Sequence, residues 1–175
     1  MNSFEITILD FIRESLSCPF MDGLMKVITF FGNAGWFWIA LGLGLTCFKK
    51  TRKMGITLCL ALLINLLICN ITLKPLVARI RPFDFAEGIQ LIIAKPSDFS
   101  FPSGHTSASF AGAAAVFAYN KKYGTLALVF ASLIAFSRLY LYVHFPSDVL
   151  AGALVGAACA VASFFIVKTI SKKIA

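Results

Sequence analysis

Three ionisable side chains, Arg138, His144 and Asp148, fall within the segment SRLYLYVHFPSD at 137–148. An imidazole followed four residues later by a carboxylate could form a nucleophile with its orienting partner, and a nearby guanidinium could clamp an anion. The segment separates two long apolar runs, and ionisable side chains at the edge of a membrane are functional candidates by default. An ordinary polar connecting loop is the alternative for this segment taken alone.

A basic segment, KPLVARIRP at 74–82, offers two further cations. Lys74 and Arg81 are seven residues apart, which is about two helical turns, so a helix would place both side chains on one side. Asn70 lies one turn before Lys74 on the same face, whereas Pro75 could kink the helix locally. The alternative is a basic flank that anchors the end of a membrane helix at the interface.

A third polar segment, FPSGHTS at 101–107, comes just before another apolar run. Pro102 and Gly104 mark a turn, and a helix is predicted to begin immediately after it. A helix N-terminus offers unpaired N–H groups and the positive end of the helix dipole, which together suit an anion. Ser103 and His105 lie in that position. A capped helix start with a polar histidine at the interface is the alternative.

Together, the three segments supply the parts of an anion-binding site with two imidazoles. The cations are Lys74, Arg81 and Arg138, and His105 and His144 are the two histidines of the chain. Three cations beside a helix N-terminus suit a group with more than one negative charge, and phosphate is the obvious candidate. Two imidazoles allow one to attack while the other protonates the leaving oxygen. No acidic cluster is available for Mg²⁺ or Ca²⁺, and the five scattered cysteines form no CxxC motif, so neither a metal nor another cofactor is predicted.

The composition is that of an integral membrane protein. Of 175 residues, 59% are hydrophobic, and the mean hydropathy is +0.85, whereas soluble domains contain roughly 45–50% apolar residues. A bilayer crossing needs about 20 mostly apolar residues. Five segments meet or approach this requirement and predict an all-α, polytopic bundle of about five membrane helices: about 27–48, 54–73, 103–120, 124–142 and 147–167.

Small residues distinguish two of these spans. The third span is the least apolar, and its Ala, Ser and Gly content suits a helix packed inside the bundle. Gly152, Gly156 and Ala160 form a small-residue stripe in the fifth span. Close packing within the chain is favoured for this stripe, and dimerisation is the alternative.

The N-terminal segment 1–22 has its own pattern. Its apolar residues recur at roughly helical spacing with charges opposite, which predicts an amphipathic helix lying at the membrane interface. A sixth membrane helix is the alternative. No linker or second compositional region follows, so residues 1–175 are predicted to form a single domain.

The charges assign a side to each connector. Nine basic residues and no acidic ones follow the first, third and fifth spans: Lys49, Lys50, Arg52, Lys53, Lys121, Lys122, Lys168, Lys172 and Lys173. By the positive-inside rule this side, with the C-terminus, is cytoplasmic, and the three polar segments face the extracytoplasmic side. The net charge of +8 therefore reflects topology and does not indicate nucleic-acid binding. Asp84, Glu87 and Asp98 of the outer loop are predicted to be solvated, with screening of lipid head groups as the alternative.

The three polar segments resemble the three-part motif of the type 2 phosphatidic acid phosphatase superfamily. The matching parts are Lys74-x6-Arg81-Pro82, Pro102-Ser103-Gly104-His105 and Ser137-Arg138-x5-His144-x3-Asp148. They occur in the same order as in the superfamily and without a departure. That superfamily includes undecaprenyl diphosphate phosphatases, phosphatidylglycerophosphate phosphatases, lipid A phosphatases and vanadium haloperoxidases.

The resemblance implies a role for each matching residue. His144 would take the phosphoryl group as a phosphohistidine, and Asp148 would hold its other ring nitrogen. His105 would protonate the leaving lipid oxygen and later help to activate water. The phosphoryl oxygens would be bound by Lys74, Arg81, Arg138, Ser103 and the Gly104 N–H.

The implied reaction is metal-independent hydrolysis of a phospholipid or polyprenyl phosphate. Undecaprenyl diphosphate is the first choice of substrate, and phosphatidylglycerophosphate, phosphatidic acid or a lipid A phosphate is the alternative. A lipid phosphotransferase and a catalytically silent membrane scaffold are the non-hydrolase alternatives. A transporter is disfavoured because the charges gather at one face and not along a path at the midplane.

Overall fold

The computed structural model describes residues 3–86 and 89–174, and these two ranges are helical without a β-strand. Glu87 lies outside the described residues. The α-helices in chain order are α1 Ser3–Leu16, α2 Pro19–Phe30, α3 Trp36–Thr46, α4 Arg52–Asn65, α5 Lys74–Val77, α6 Gly104–Tyr119, α7 Lys121–Tyr140 and α8 Pro146–Ile174. The prediction of an all-α helix bundle is confirmed.

Three segments in the described ranges are long and apolar enough to cross a membrane. They are Arg52–Asp84, Lys121–Tyr140 and Pro146–Lys172. A fourth crossing results if the bent pair formed by α2 and α3 is one span. The predicted third span corresponds to α6, which has 16 residues and packs among α4, α7 and α8. Its Ala-rich surface is largely buried, as expected for a helix inside the bundle.

The predicted first span, 27–48, is not one helix. Its residues belong to α2 and α3, which meet at an angle of 41°. The chain turns at Ala34 and Gly35, whose φ values of 49° and 67° lie in the left-handed region that no α-helix contains. The predicted interfacial helix 1–22 is likewise shorter, because α1 ends at Leu16 and a new helix begins at Pro19, where proline suits the first helical position.

The predicted second span, 54–73, changes character along its length. It starts as α4, continues as a π-helical segment at Leu66–Leu73, and ends with the single turn of α5. Ala78, with φ 48°, ends the helix. Helical backbone therefore stops before Arg81, and residues 78–81 take their own path toward the connection between α7 and α8.

Helices α6 and α8 pack closely because α8 carries glycine on the facing side. A Cβ on Gly152 would lie 2.7 Å from the Ser103 carbonyl oxygen, and one on Gly156 would lie 2.2 Å from that of Ser107. These distances are shorter than van der Waals contact, so only glycine fits. The small-residue stripe of the fifth span therefore packs within the chain.

Helix α1 covers the connection between α7 and α8. Leu9 and Ile12 are buried against this connection, whereas Phe4 and Phe11 are exposed. The Tyr142 hydroxyl donates to the Asp10 carboxylate at 2.7 Å. The helix thus has two apolar faces, one for the protein and one free to contact lipid, and it lies directly over the motif residues described next.

Candidate active site

Most of the predicted site residues line one cavity of about 870 Å³. Six of the eight do so: Lys74, Arg81, Gly104, His105, Arg138 and His144. The remaining two, Ser103 and Asp148, are fully buried behind them. The Ser103 N–H donates to the Asp148 carbonyl at 3.0 Å, and the Ser103 hydroxyl accepts a hydrogen bond from Thr106 at 2.9 Å.

Lys74 and Arg81 are neighbours in space, as predicted. They do not lie on one face of a helix, which was the basis of that prediction. The chain leaves the helix at Ala78, so the two side chains approach each other across a bend. Both reach the carboxylate of Asp98. Arg81 Nη2 donates to Asp98 Oδ1 at 2.6 Å, and Lys74 Nζ donates to Asp98 Oδ2. Distant chain segments, and not a helix face, bring these cations together.

Asp98 lies in the loop with 54% of its side chain exposed, as predicted for a solvated carboxylate, but its pairing with two cations was not predicted. Burial works against its charged form, but the hydrogen bond and charge of Lys74 and the charge of Arg81 outweigh it and lower the pKa of Asp98 to about 2. The two carboxylate oxygens of Asp98 thus lie against the two cations. Asp84, in contrast, pairs with the exposed Lys95 at 2.6 Å at the surface.

His144 lies in the short connection between α7 and α8 and is 1% exposed. Burial, reinforced by the charges of Arg138 and Arg81, lowers the pKa of His144 to about 3 against the opposing effect of Asp148. The imidazole is therefore neutral near pH 7, which leaves one ring nitrogen with a free electron pair. His144 Nε2 lies 3.2 Å from Arg81 Nη1, on the side of the cavity.

Asp148 lies on the opposite side of the His144 ring. Its Oδ2 is 3.6 Å from His144 Nδ1, which is beyond hydrogen-bond distance. Ser100 bridges the two groups, because its hydroxyl donates to Asp148 Oδ2 and lies 3.5 Å from His144 Nδ1. The Phe145 N–H also donates to Oδ2 at 2.8 Å. Ser100 was not predicted, since a serine next to a turn carries no distinguishing sequence signal.

His105 begins the cavity wall formed by α6. Its Nε2 lies 2.8 Å from the Asn33 Oδ1, and Asn33 sits at the break between α2 and α3. A Cβ on Gly32 would lie 2.7 Å from His105 Cδ2, so the break fits closely against the imidazole. Asn33 was not predicted, because the hydropathy of 27–48 suggested a continuous span.

Arg138 projects into the cavity from the last turn of α7. Its Nη1 donates to the Thr29 hydroxyl of α2. Among the residues that the structure describes, its buried Nε has no hydrogen-bond partner. A buried guanidinium N–H without a partner is costly, so this donor is available to a bound anion.

The cavity also has an apolar arm between α3 and α4. Ile39 and Leu43 of α3 face Leu62 and Leu63 of α4, followed by Leu66 of the π-helical segment. The leucines of α4 and Leu66 belong to the segment Arg52–Asp84, which is long and apolar enough to cross a membrane. The cavity is therefore amphipathic, with a cationic end and an apolar end.

Comparison with known proteins finds the same architecture and related sequences. Residues 54–172, more than half of the chain, match the sequence profile of the PAP2 superfamily. An undecaprenyl-diphosphatase of Sulfolobus acidocaldarius is 36% identical over 137 residues, which cover 78% of this chain and 66%, just under two thirds, of that protein.

Two solved structures are similar over nearly the whole chain. Aquifex aeolicus LpxE has a TM-score of 0.78 and 29% identity, over 90% of this chain and 92% of that one. The transmembrane PAP2-type phosphatidylglycerolphosphate phosphatase of Bacillus subtilis has a TM-score of 0.73 and 29% identity, over 99% of this chain and 87% of that one.

Proposed function

We propose that this chain, which belongs to the PAP2 superfamily of lipid phosphatases, hydrolyses a lipid phosphate in two steps through a phosphohistidine on His144, without a metal ion. The observation that carries the proposal is the buried His144, whose Nε2 lies 3.2 Å from Arg81 Nη1 and which lines a cavity with both cationic and apolar side chains. In this arrangement the apolar chain of a lipid occupies the arm, and its phosphate lies among the cations.

In the first step, His144 Nε2 attacks phosphorus and forms a P–N bond while the P–O bond to the lipid breaks. His105 must be protonated for this step, which the negative charge of the bound phosphate favours, and it gives that proton to the leaving oxygen. The positive charge that develops on the His144 ring is met by Asp148, which lies 3.6 Å from Nδ1 and favours the tautomer with the proton on that nitrogen.

In the second step, His105 accepts a proton from water as the water oxygen attacks phosphorus. The P–N bond breaks, inorganic phosphate is released, and both histidines return to their starting states. The lipid product is an alcohol if the substrate is a monoester and a lipid monophosphate if it is a diphosphate.

The cations would stabilise the charge on the transferring phosphoryl group. Lys74 and Arg81 already hold the carboxylate oxygens of Asp98, and Arg138 has its free Nε. Preorganised donors of this kind are usually the largest catalytic contribution. The Gly104 N–H at the start of α6 would add a hydrogen bond, and the Ser103 hydroxyl would do so if its proton turns toward the phosphate.

The proposed substrate is undecaprenyl diphosphate. Its support is the amphipathic cavity and the similarity to a protein named undecaprenyl-diphosphatase. Phosphatidylglycerophosphate is the second candidate, because a structure similar over 99% of this chain is named for that substrate. Phosphatidic acid and a lipid A phosphate remain alternatives of the same class.

We test the function by measuring phosphate release in detergent, with EDTA present. The panel holds undecaprenyl diphosphate, phosphatidylglycerophosphate, phosphatidic acid, a lipid A phosphate and a soluble phosphomonoester, with His144→Ala as the blank. Release should survive EDTA and be fastest with undecaprenyl diphosphate. Loss of release in EDTA would overturn metal independence, and faster release from another lipid would overturn the choice of substrate. No release from any compound would favour the transferase or scaffold alternative.

The site is proposed to face the extracytoplasmic side, with the C-terminus in the cytoplasm and residues 1–175 acting as one domain. Support comes from the positive-inside rule. Two exposed cysteines test the orientation, because Cys18 lies between α1 and α2 and Cys47 follows α3 in the basic connector. In intact cells, a membrane-impermeant maleimide should label a variant that keeps only Cys18 and spare one that keeps only Cys47. Both should react after permeabilisation, and the reverse pattern in intact cells would invert the topology.

A further inference from the structure

The buried carboxylate of Asp148 is held by Arg79, which lies in the segment 74–82 at one of the positions that the motif Lys74-x6-Arg81-Pro82 leaves unspecified. Arg79 Nη1 donates to Asp148 Oδ1 at 2.6 Å and to the Ser147 hydroxyl at 2.7 Å. Since Ser100 and the Phe145 N–H occupy Oδ2, Arg79 is the partner that the described residues provide for Oδ1. Both oxygens of the carboxylate are thereby fixed.

Arg79 is in turn held by a carboxylate from the far end of the chain. Its Nη2 donates to Glu5 Oε2 at 2.7 Å, and Glu5 Oε1 accepts from the Ser147 N–H at 2.9 Å. The Arg79 guanidinium also lies over the Phe145 ring, 3.9 Å from its centre. Glu5 on α1 thus grips both the arginine and the first turn of α8.

The side chains of this network are less exposed than those of ordinary surface ion pairs. The side chains of Glu5, Arg79 and Asp148 are 8%, 27% and 0% exposed. The pKa of Glu5 is lowered, because hydrogen bonds from Ser147 and Arg79 outweigh the effect of burial. Two largely buried carboxylates share one guanidinium, and removing it would leave both without their counterion.

We propose that Arg79 and Glu5 are positioning residues for the reaction, in which α1 holds Arg79 against Asp148 and Asp148 in turn orients His144. Neither Arg79 nor Glu5 lines the cavity, so neither is placed to touch the phosphate. The network acts through the rate of phosphoryl transfer and not through binding of the lipid. This inference rests on the proposed role of His144 as the nucleophile.

The test compares kcat and KM of Arg79→Gln, Arg79→Lys and Glu5→Gln with those of the wild type, on the lipid that the wild type hydrolyses fastest. Arg79→Gln should lower kcat by about 10- to 100-fold, the range expected for loss of a charged hydrogen bond, with KM within about twofold. Arg79→Lys should recover part of the loss, because an ammonium keeps the charge but cannot bridge two carboxylates in the same way. In the double variant, Glu5→Gln should lower kcat by a smaller factor than it does in the wild type, as is expected when two residues act through the same contacts.

Two matched controls separate this role from the docking of α1 and from general loss of charge. Arg13→Gln removes another contact of α1, the hydrogen bond to the Gln90 carbonyl at 2.8 Å. Lys95→Gln removes the surface pair with Asp84. Both should keep kcat within about twofold, and thermal unfolding in detergent should show that every variant is folded.

The outcomes are distinguishable from failure of the proposed function. Normal kcat in Arg79→Gln and Glu5→Gln, or an equal fall in Arg13→Gln, would overturn the inference while leaving His144 as the nucleophile. A change in KM with unchanged kcat would overturn it as well. If Arg79→Gln does not fold, the kcat and KM values of Arg79→Lys and Glu5→Gln test the inference in its place. Activity that survives His144→Ala would instead overturn the proposed function.

Discussion

Replacement of His144 by alanine should lower kcat by more than about 10⁴-fold, because no other neutral imidazole nitrogen lies beside Arg81 among the residues described. Losses of this size follow removal of the nucleophile from other two-step hydrolases. The measurement is rapid-quench turnover together with detection of an acid-labile phosphoenzyme. The wild type should form this phosphoenzyme and His144→Ala should not.

A neighbouring substitution serves as the control for His144→Ala. Tyr142→Phe removes the hydrogen bond to Asp10 in the same connection between α7 and α8, but it leaves the cavity residues in place. It should retain turnover within about threefold and form the phosphoenzyme normally. Near-normal activity of folded His144→Ala, or a phosphoenzyme that persists in it, would show that another residue takes the phosphoryl group.

Replacement of His105 by alanine should slow hydrolysis by roughly 10²- to 10⁴-fold, the usual contribution of a general acid, and the loss should depend on the leaving group. A lipid alkoxide leaves poorly without a proton, whereas a nitrophenolate leaves readily as the anion. The loss should therefore be largest for phosphatidic acid and smallest for a nitrophenyl phosphate. Phosphoenzyme should accumulate with the aryl substrate, because the second step still lacks its base.

Asn33→Ala is a milder variant that perturbs His105 without removing it. It removes the 2.8 Å contact with His105 Nε2 while leaving the imidazole present. The reduction in hydrolysis rate should be smaller for Asn33→Ala than for His105→Ala, but it should depend on the leaving group in the same way. An equal loss for lipid and aryl substrates in both variants would mean that His105 stabilises the site without transferring a proton.

Parts of the fold were predictable because local signals agree with the tertiary structure. Helix α7 begins after Asn120, whose side chain accepts a hydrogen bond from the Tyr123 N–H at 3.1 Å, and α8 begins at Pro146. Both helices carry long apolar runs between these signals. The prediction of one continuous helix over 27–48 missed the break at Ala34 and Gly35, because hydropathy continues through it. Hydropathy describes the preference for lipid and not the backbone conformation, so it could not reveal this turn.

The site was predictable as a set of residue types, but not as a geometry. Lys74 and Arg81 do come together, yet through a bend and a shared Asp98 and not on one helix face. Asp98 was predicted to be solvated because a carboxylate in a polar loop usually is. Its partners are set by how the loop folds back over the end of the second membrane segment, and no periodic pattern records that path.

The sequence by itself determined the membrane character, the all-helical class and the set of two imidazoles and three cations, since these follow from residue types and local spacing. The tertiary structure decided which charges neutralise one another. Glu5 and Arg79 are 74 residues apart, Arg79 and Asp148 are 69 apart, and Asn33 and His105 are 72 apart. Buried charges must be paired, but the partner is supplied by whichever distant helix packs nearby. That choice belongs to the packing of the bundle, which local sequence does not record.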